Sequence, residues 1–506
     1  MDIKSLEYPL FIAGFLLVFF LLQRTRLQKW WILAADLYFL QSVTGMASVP
    51  VCAGLIAIVW CCGLGIQKGT ISKKEHTSAA KACYWCGLAA DLGILLYYKF
   101  FTQAGAALFQ KIGSGEAGGM VVLAPLGLSY YVLSLAGYLY DVWNAKYPAE
   151  KNYVSLLSFA LYFPAIIQGP FNLYKDLTPQ LTDQHTYSRE RTVMGLQRTL
   201  WGYFKKVVIA DRIGILVAGI LADEAADGGL LYLCMILYSF QIYTDFSGGI
   251  DVIMGISECM GIMLPENFRQ PLAAVSVTEF WQRWHMSLGG IMEKYVYYPI
   301  VLGKKTRAVS KKIRNKYLSR VFAASLGSFV VFVLVGIWHG TGWNYVVYGL
   351  YQALFTTSAV LLAGFYKECR EKLHIRDGKA LHLFRVLRTF AILVFGRYFT
   401  RAGTLTKALY LLKKTFTGEW TVKVFTDGTL TQYGLDIPNL VLMLILIALI
   451  IVVDILHEKG IHFRTALMQK PFPARLAVYY LGLFGIIILG IYGGQYTGAS
   501  FIYAQF

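Results

Sequence analysis

The sequence predicts an all-α polytopic membrane protein built from about 11 to 12 transmembrane or re-entrant helices. Two observations carry this prediction. Hydrophobic residues fill 57% of the 506 positions and charged residues only 15%, so the chain has more apolar surface than a soluble fold could cover. Apolar runs long enough to cross a bilayer recur from one end of the chain to the other.

The predicted spans follow these apolar runs in order. They lie near residues 9–22, 30–47, 49–66, 83–101, 121–143, 205–221, 230–257, 321–338, 344–365, 384–400, 439–456 and 476–493. The first run lacks a basic leader and a small-residue cleavage site, so we expect a retained span rather than a signal peptide. We see no internal repeat, and we expect one membrane domain over residues 1–506.

The basic residues orient the chain in the membrane. A net charge of +18 would suggest nucleic-acid binding in a soluble protein, but here the charges gather between spans, at residues 24–29, 68–74, 304–320, 367–388 and 459–475. The positive-inside rule predicts that these connections are cytoplasmic and that the acidic connection 223–227 is outside. Lys407, Lys413 and Lys414 fall on the outer side of this topology, so we expect an amphipathic segment in the interface within residues 401–438.

The eight cysteines predict neither a disulfide framework nor a metal centre, because most lie within spans or basic connections. Cys83 and Cys86 have the C-x-x-C spacing but open an apolar span with no second pair. We therefore expect no bound metal or cofactor.

Polar and aromatic residues concentrate in the central region, about residues 240–345, where we expect the catalytic site. Asp245 and Asp251 place two carboxylates in an otherwise apolar run. These carboxylates either shape a polar cavity or cap the end of a helix that breaks at Gly248 and Gly249.

Residues 279–300 are rich in tryptophan and tyrosine and also contain Arg283, Glu293 and Lys294. This mixture predicts an amphipathic helix that lies on the surface or enters the membrane half-way. His285 would then lie at the edge of a cavity that Arg283 and Trp284 also line. Its role is either functional or structural, through a hydrogen bond to a backbone carbonyl.

A second histidine, His339, lies between Trp338 and Gly340 in a run that continues to Trp343. The glycines on either side allow close backbone approach and a helix end without steric cost. Such an imidazole is suited to take the proton from a hydroxyl that attacks an activated acyl group; the alternative is a hydrogen-bonded core histidine. No ligand spacing favours a metal site, and no Gly-x-Ser-x-Gly accompanies Ser287 to make a serine hydrolase.

Several segments in order resemble those of the bacterial membrane-bound O-acyltransferase family, in the branch with the alginate O-acetylation protein and the D-alanyl transfer protein of teichoic acid modification. Besides the two histidine segments, they are Leu126-Gly127-Leu128-Ser129-Tyr130-Tyr131, Phe163-Pro164 through Gln168-Gly169-Pro170, Phe204-Lys205-Lys206-Val207-Val208-Ile209-Ala210-Asp211, Asp245-Phe246-Ser247-Gly248 and Leu264-Pro265-Glu266-Asn267-Phe268. Each segment alone is a weak signal, and their number and order make the resemblance specific over nearly the whole length.

The resemblance implies tilted spans around a central funnel, with a tunnel that reaches it from the cytoplasm. It implies that His339 is the catalytic base and that His285 lies near the passage. From their positions in the sequence, we also expect five residues around the cavity: Asp245, Arg283, Trp284, Trp338 and Trp343. The acyl donor would be a coenzyme A thioester or an acylated carrier protein. The acceptor would be an extracellular polymer, reached with a membrane or secreted partner acyltransferase.

The basic run Lys304, Lys305, Arg307, Lys311 and Lys312 has two interpretations. It either docks the acidic donor or anchors the chain to anionic lipid of the bilayer. The tail Phe501-Ile502-Tyr503-Ala504-Gln505-Phe506 resembles the Phe-x-Tyr-x-x-Phe motif of small partner peptides in D-alanylation systems. Tyr503 is therefore either a covalent acyl relay or part of an aromatic belt at the outer interface.

The function that these observations favour is O-acyl transfer, with acetyl favoured, to a cell-envelope polysaccharide outside the cytoplasmic membrane. D-alanyl transfer from a carrier protein to teichoic acid is the close alternative. A function of another class is a transporter or flippase for an acyl carrier or a lipid-linked sugar, which predicts repeated halves with broken helices.

Overall fold

The computed structural model describes residues 5, 7–46, 48–72, 75–101, 127–166 and 168–492, except for the side chains of residues 101 and 422. These residues are almost wholly helical, which confirms the all-α class. One two-stranded antiparallel hairpin, β1 (Thr70–Ser72) with β2 (Glu75–His76), is the only sheet in the described ranges. The chain forms two compact units, residues 1–199 with 253–265 and residues 200–252 with 266–506.

The first unit holds the N-terminal helices. They are α1 (Glu7–Leu21), α2 (Gln28–Thr44), α3 (Ser48–Lys68), α4 (Ser78–Leu96) with a π-helical turn Tyr97–Phe101, α5 (Leu128–Trp143), α6 (Tyr153–Leu161), α7 (Phe163–Ile166), α8 (Tyr174–Thr182) and most of α9 (Arg189–Tyr203). Phenylalanine rings of α1 and α2 pack against Phe163 of α7, edge to face from α1 and tilted from α2. Asp36 is buried there and accepts a 2.7 Å hydrogen bond from Phe163 N, so the carboxylate caps the start of α7.

The second unit begins with the end of α9, a π-helical stretch Phe204–Ala210 and α10 (Asp211–Ala222), and includes most of α11 (Gly228–Met260). Short helices follow: α12 (Val277–Arg283), α13 (Met286–Met292), the π-helical turn Glu293–Tyr297, α14 (Tyr298–Val301) and α15 (Lys304–Lys312). The longer C-terminal helices are α16 (Lys316–His339), α17 (Trp343–Leu361), α18 (Ala363–Lys372), α19 (Lys379–Arg401), α20 (Leu405–Thr417), α21 (Ile437–Glu458), α22 (Phe463–Met468) and α23 (Phe472–Leu489), with 3-10 turns at Pro271–Ala273, Val422–Phe425 and Thr429–Tyr433.

Within the described part of the chain, five helices are long and apolar enough to cross a bilayer, namely α3, the run from α4 to Phe100, α16, α21 and α23. A sixth results if α17 and α18, which are bent by 59° at Leu362, count as one span. The expected runs 9–22, 30–47, 230–257 and 384–400 lie on α1, α2, α11 and α19. The chain is therefore a multi-pass membrane protein.

Two local expectations were wrong. No helix breaks at Gly248 and Gly249, because α11 is continuous from Gly228 to Met260. Gly248 instead permits close packing, since a Cβ there would lie 2.8 Å from the carbonyl oxygen of Gly202. Residues 279–300 do not form one amphipathic helix either, because the chain turns sharply at His285 between α12 and α13.

The amphipathic segment expected within residues 401–438 is α20. Its buried residues Ala408, Leu411 and Thr415 share one face, and Lys407 and Lys413 are exposed on another. The side-chain oxygen of Thr404 caps its N-terminus by accepting a 3.2 Å hydrogen bond from Lys407 N. Two of the lysines that conflicted with the topology, Lys407 and Lys413, are thus on the exposed part of this helix.

Candidate active site

The two histidines lie close together in the second unit, although they are 54 positions apart in the sequence. The ring of Trp338 lies between them, with its centroid 4.9 Å from the ring centroid of His339 and 6.2 Å from that of His285. His285 is 2% exposed and His339 is 6% exposed. Two titratable rings thus share one buried polar site.

His285 is held by a short antiparallel pairing that the sequence gave little sign of. Phe268 pairs with Trp284, Arg269 N donates to Arg283 O at 2.9 Å, and Met286 N donates to the backbone oxygen of Asn267 at 3.0 Å. The chain reverses at His285. Its φ of +50° lies in the left-handed region, which residues other than glycine seldom adopt. Such strain is typical of functional positions.

The side chain of Asn267 sets the tautomer of His285. Its Oδ1 accepts hydrogen bonds from Ser287 N at 3.0 Å and from Ser287 Oγ at 2.8 Å, which identifies this atom as the oxygen of the amide. The same oxygen lies 3.2 Å from Nδ1 of His285, so Nδ1 carries the hydrogen and Nε2 carries the lone pair. Burial and then the nearby His339 hold the pKa of His285 well below its usual value, so the ring is neutral at neutral pH.

His339 is the last residue of α16 and is placed by the connection to α17. Backbone packing brings these two helices together, because a Cβ on Gly336 would lie 2.6 Å from Tyr345 O and 2.9 Å from the Cα of Gly349. A Cβ on Gly340 would overlap the ring of Tyr345. Glycine is therefore required at both positions for His339 to reach the buried site.

Tyr348 forms the side of the site beside His339, and Asn344 lies one turn before Tyr348 on α17. Tyr348 presents its ring edge to His339 at 6.4 Å between centroids. Asn344 is buried and donates from Nδ2 to Phe399 O at 2.9 Å, and its Oδ1 has no hydrogen-bond partner in the described part of the chain. The wall on the other side is Phe246, whose ring lies 4.8 Å from that of His285.

Asp245 and Asp251 belong to a buried ion-pair network on α11. Lys206 pairs with Asp245 and, at 3.0 Å, with Asp211, whereas Lys205 pairs with Asp251 at 2.6 Å. Because Asp245 precedes Phe246, this network holds the wall beside His285 in place. Neither carboxylate caps a helix end.

The other expected cavity residues divide into two groups. Trp338 lies in the histidine cluster, and Trp284 is buried behind it, stacked on Phe280 at 5.4 Å. Arg283 instead forms ion pairs with Glu279, at 2.7 Å, and with Glu458 on α21. Trp343 is 73% exposed, so the structure does not bring it into the cluster.

The basic residues proposed to dock the donor lie far from the histidines along the chain. Lys304, Lys305, Arg307, Lys311 and Lys312 are all exposed on α15. The next helix, α16, has 24 residues and ends at His339. At 1.5 Å per residue it is about 36 Å long, which is enough to cross a bilayer core of about 30 Å.

Three residues of the site were not expected from the sequence: Asn267, Asn344 and Arg397. Arg397 is 4% exposed and its guanidinium carbon lies 5.5 Å from the ring centroid of Trp284. An arginine inside the expected span 384–400 was a signal that could have identified it. Asn267 lies in one of the family-like segments, but only its contacts reveal its role.

No group of three metal-ligating side chains occurs among the residues searched, which are those that the structure describes. Tyr503 and the rest of the tail 501–506 lie outside the described residues. The buried neutral imidazole of His285 beside His339 supports proton transfer to and from a hydroxyl.

Comparisons with known proteins identify the family of the chain and several relatives. The profile of MBOAT, the membrane-bound O-acyltransferase family, matches residues 144–396, which include both histidines. The chain is similar to the probable alginate O-acetylase AlgI of Pseudomonas putida, with 28% identity over 395 residues that cover 77% of this chain and 75% of that protein. It is also similar to the peptidoglycan O-acetyltransferase of Helicobacter pylori, with 28% identity over 441 residues, 80% of this chain and 78% of that protein. The teichoic acid D-alanyltransferase of Bacillus subtilis is 28% identical over 281 residues, 54% of this chain and 67% of that protein.

Proposed function

Because the chain belongs to the membrane-bound O-acyltransferase family and is an acyltransferase, we propose that it transfers an acetyl group from a cytosolic thioester to hydroxyls of an extracellular cell-envelope polysaccharide. The observation that carries this proposal is the position of His339. The histidine is buried at the end of a membrane-length helix whose other end follows the basic helix α15. In this proposal, the donor approaches the base from the side of α15 and the acceptor hydroxyl approaches it from the other side.

The proposed reaction is a direct displacement at the thioester carbonyl. His339 accepts the proton of the acceptor hydroxyl while the hydroxyl oxygen bonds to the acyl carbon. The carbon–sulfur bond breaks, and His339 returns the proton to the departing thiolate, so that an ester and a thiol are the products. His285 is proposed to orient the acceptor or the thioester through its Nε2 lone pair.

Two further features support the choice of substrates. The O-acetylating enzymes of Pseudomonas putida and Helicobacter pylori match 77% and 80% of this chain, whereas the D-alanyltransferase of Bacillus subtilis matches 54%. The exposed lysines and arginine of α15 provide a positive surface for an acidic donor, either the phosphates of coenzyme A or a carrier protein.

A gene deletion complemented by variants tests this proposal. The envelope polysaccharides of the deletion strain are analysed by mass spectrometry after complementation with the unaltered protein, with His339→Ala or with His382→Ala. His382 is an exposed histidine in the first turn of α19, which follows a basic connection. Its replacement controls for the loss of an imidazole. We expect acetyl esters with the unaltered protein and with His382→Ala, and none with His339→Ala. If the polysaccharides instead carry D-alanyl esters that depend on His339, the transferred group is D-alanyl and not acetyl. Full acylation by His339→Ala would refute the enzymatic role of this base.

A further inference from the structure

Arg397 differs from the other buried cations of the described chain. Four lysine or arginine side chains are buried there: Lys205, Lys206, Arg212 and Arg397. The two lysines pair with carboxylates, and Arg212 donates to Leu489 O at 2.7 Å and to Asn439 Oδ1 at 3.1 Å. Arg397 has no carboxylate and no hydrogen-bond acceptor for its guanidinium among the described residues, and its one ring contact is the face of Trp284.

A buried guanidinium without an anion is energetically costly. The desolvation free energy of the guanidinium is offset only by a counter-ion or by acceptors for its hydrogen-bond donors. A stacking contact with indole satisfies none of its five N–H groups. Buried charged groups that lack a protein partner commonly face a ligand. The missing partner of Arg397 is therefore expected to be an anion that binds at this place.

The contacts around Arg397 place it beside the histidine site. Trp284, which the guanidinium covers, is the residue before His285. At the position before Arg397 on α19, a Cβ on Gly396 would lie 3.5 Å from the ring of Tyr348, which itself contacts His339. Two residues further on, Phe399 O accepts the hydrogen bond from Asn344. Arg397 thus lies at the level of His339.

The topology tells which substrate brings the anion. α19 begins at Lys379 in a basic connection that the positive-inside rule places in the cytoplasm. Arg397 lies 18 residues later, about 27 Å along the helix axis, toward the outer end. A cytosolic donor that reaches His339 with its thioester keeps its phosphates on the inner side, because a flexible arm separates the two groups. An anion at the level of His339 must then belong to the acceptor.

We propose that Arg397 binds a carboxylate or phosphate of the acceptor polymer, next to the hydroxyl that is acylated at His339. This inference rests on the proposed function. The planar fork of arginine donates two parallel hydrogen bonds to either kind of oxyanion. Arg397 thus selects an acceptor unit that carries an oxyanion over the matching neutral unit.

Binding of matched charged and neutral oligomers to the purified protein in detergent tests this inference. One probe pair is an oligomer of a hexuronic acid and the same oligomer with its carboxyl groups reduced to alcohols. A second pair is a polyol phosphate oligomer and the corresponding polyol, so the two pairs distinguish carboxylate from phosphate. Calorimetry gives the Kd of each probe for the unaltered protein, Arg397→Gln, Arg397→Lys and the control Arg388→Gln. Arg388 lies on the same helix with an exposed side chain.

We expect the unaltered protein and Arg388→Gln to bind one charged oligomer more tightly than its neutral counterpart. Arg397→Gln should raise the Kd of that charged oligomer about 10- to 100-fold, because hydrogen bonds to a charged group are lost. The Kd of the neutral oligomer should not change. If Arg397→Gln does not fold, Arg397→Lys keeps the charge but loses the fork, and a several-fold loss is expected. Unchanged binding of the charged oligomers by the folded variant, or no preference for charge in the unaltered protein, overturns the inference. Acyl transfer by His339→Ala would instead overturn the proposed function.

Discussion

Replacement of Asn267 by alanine tests how His285 is held. The side chain of Asn267 is fully buried, and its Oδ1 accepts from His285 Nδ1, Ser287 N and Ser287 Oγ. Alanine removes all three hydrogen bonds while the backbone pairing of residues 267–269 with 283–286 stays in place. The perturbation therefore acts on the ring and the turn that carries it.

The three hydrogen bonds give the expected magnitude. At about 1 kcal/mol each, their loss removes about 3 kcal/mol from the arrangement that holds His285. Because each 1.36 kcal/mol is a factor of ten, the positioned ring becomes about 100-fold less favoured against displaced arrangements. We expect kcat/KM for acyl transfer to fall by about 10- to 100-fold. Asn144→Ala removes a single hydrogen bond, to Tyr140 O, in the other unit and serves as the control.

Replacement of Asn267 by aspartate separates position from charge. The carboxylate keeps the oxygen beside Nδ1 but adds a negative charge, which favours the imidazolium and raises the pKa of His285 from its depressed value. The acid limb of the pH profile of kcat/KM should then move to higher pH, because the neutral ring is required. An Asn267→Ala variant that keeps its thermal stability and full kcat/KM would refute a role for His285 position in the reaction.

Three further outcomes are expected from the fold. Gly336→Ala places a methyl group against the backbone of α17 and should lower both the Tm and acyl transfer, whereas Gly54→Ala, which has open space around it, should change neither. Lys206→Met leaves Asp245 as an uncompensated buried charge and should cost about 3–5 kcal/mol in thermal unfolding, and a second change, Asp245→Asn, should restore part of it. The depressed pKa of His285 means that the unfolded chain binds its proton first, so the Tm should fall as the pH is lowered below about 6.5. His285→Asn, which tolerates the positive φ, should show a smaller fall.

The span pattern could be predicted because apolar length alone places a helix in a bilayer, and α3, α16 and α21 follow that rule. The continuity of α11 could not be predicted in this way. A Gly-Gly pair in the sequence indicates either a break or a close helix contact, and only the carbonyl of Gly202 opposite Gly248 decides between them.

The two histidines could be singled out from the sequence as candidate site residues, because a titratable ring among apolar runs has few structural reasons to be there. Their partners could not. The contact of Asn267 with His285 joins residues 18 positions apart, and Arg397 approaches Trp284 from a helix more than 100 positions away. Trp338 and Trp343 flank the same histidine in sequence, but the helix end between them turns the second away from the cluster.

Acyl transfer across a sealed bilayer tests the account most directly. The purified protein is reconstituted in liposomes that enclose an acetyl thioester labelled in the acyl group, and an acceptor polysaccharide is added outside. With the unaltered protein, we expect label to appear as an ester on the outer acceptor, and none with His339→Ala of equal Tm. Equal ester formation by His339→Ala, or passage of the intact labelled thioester across the bilayer without ester formation, would contradict the account.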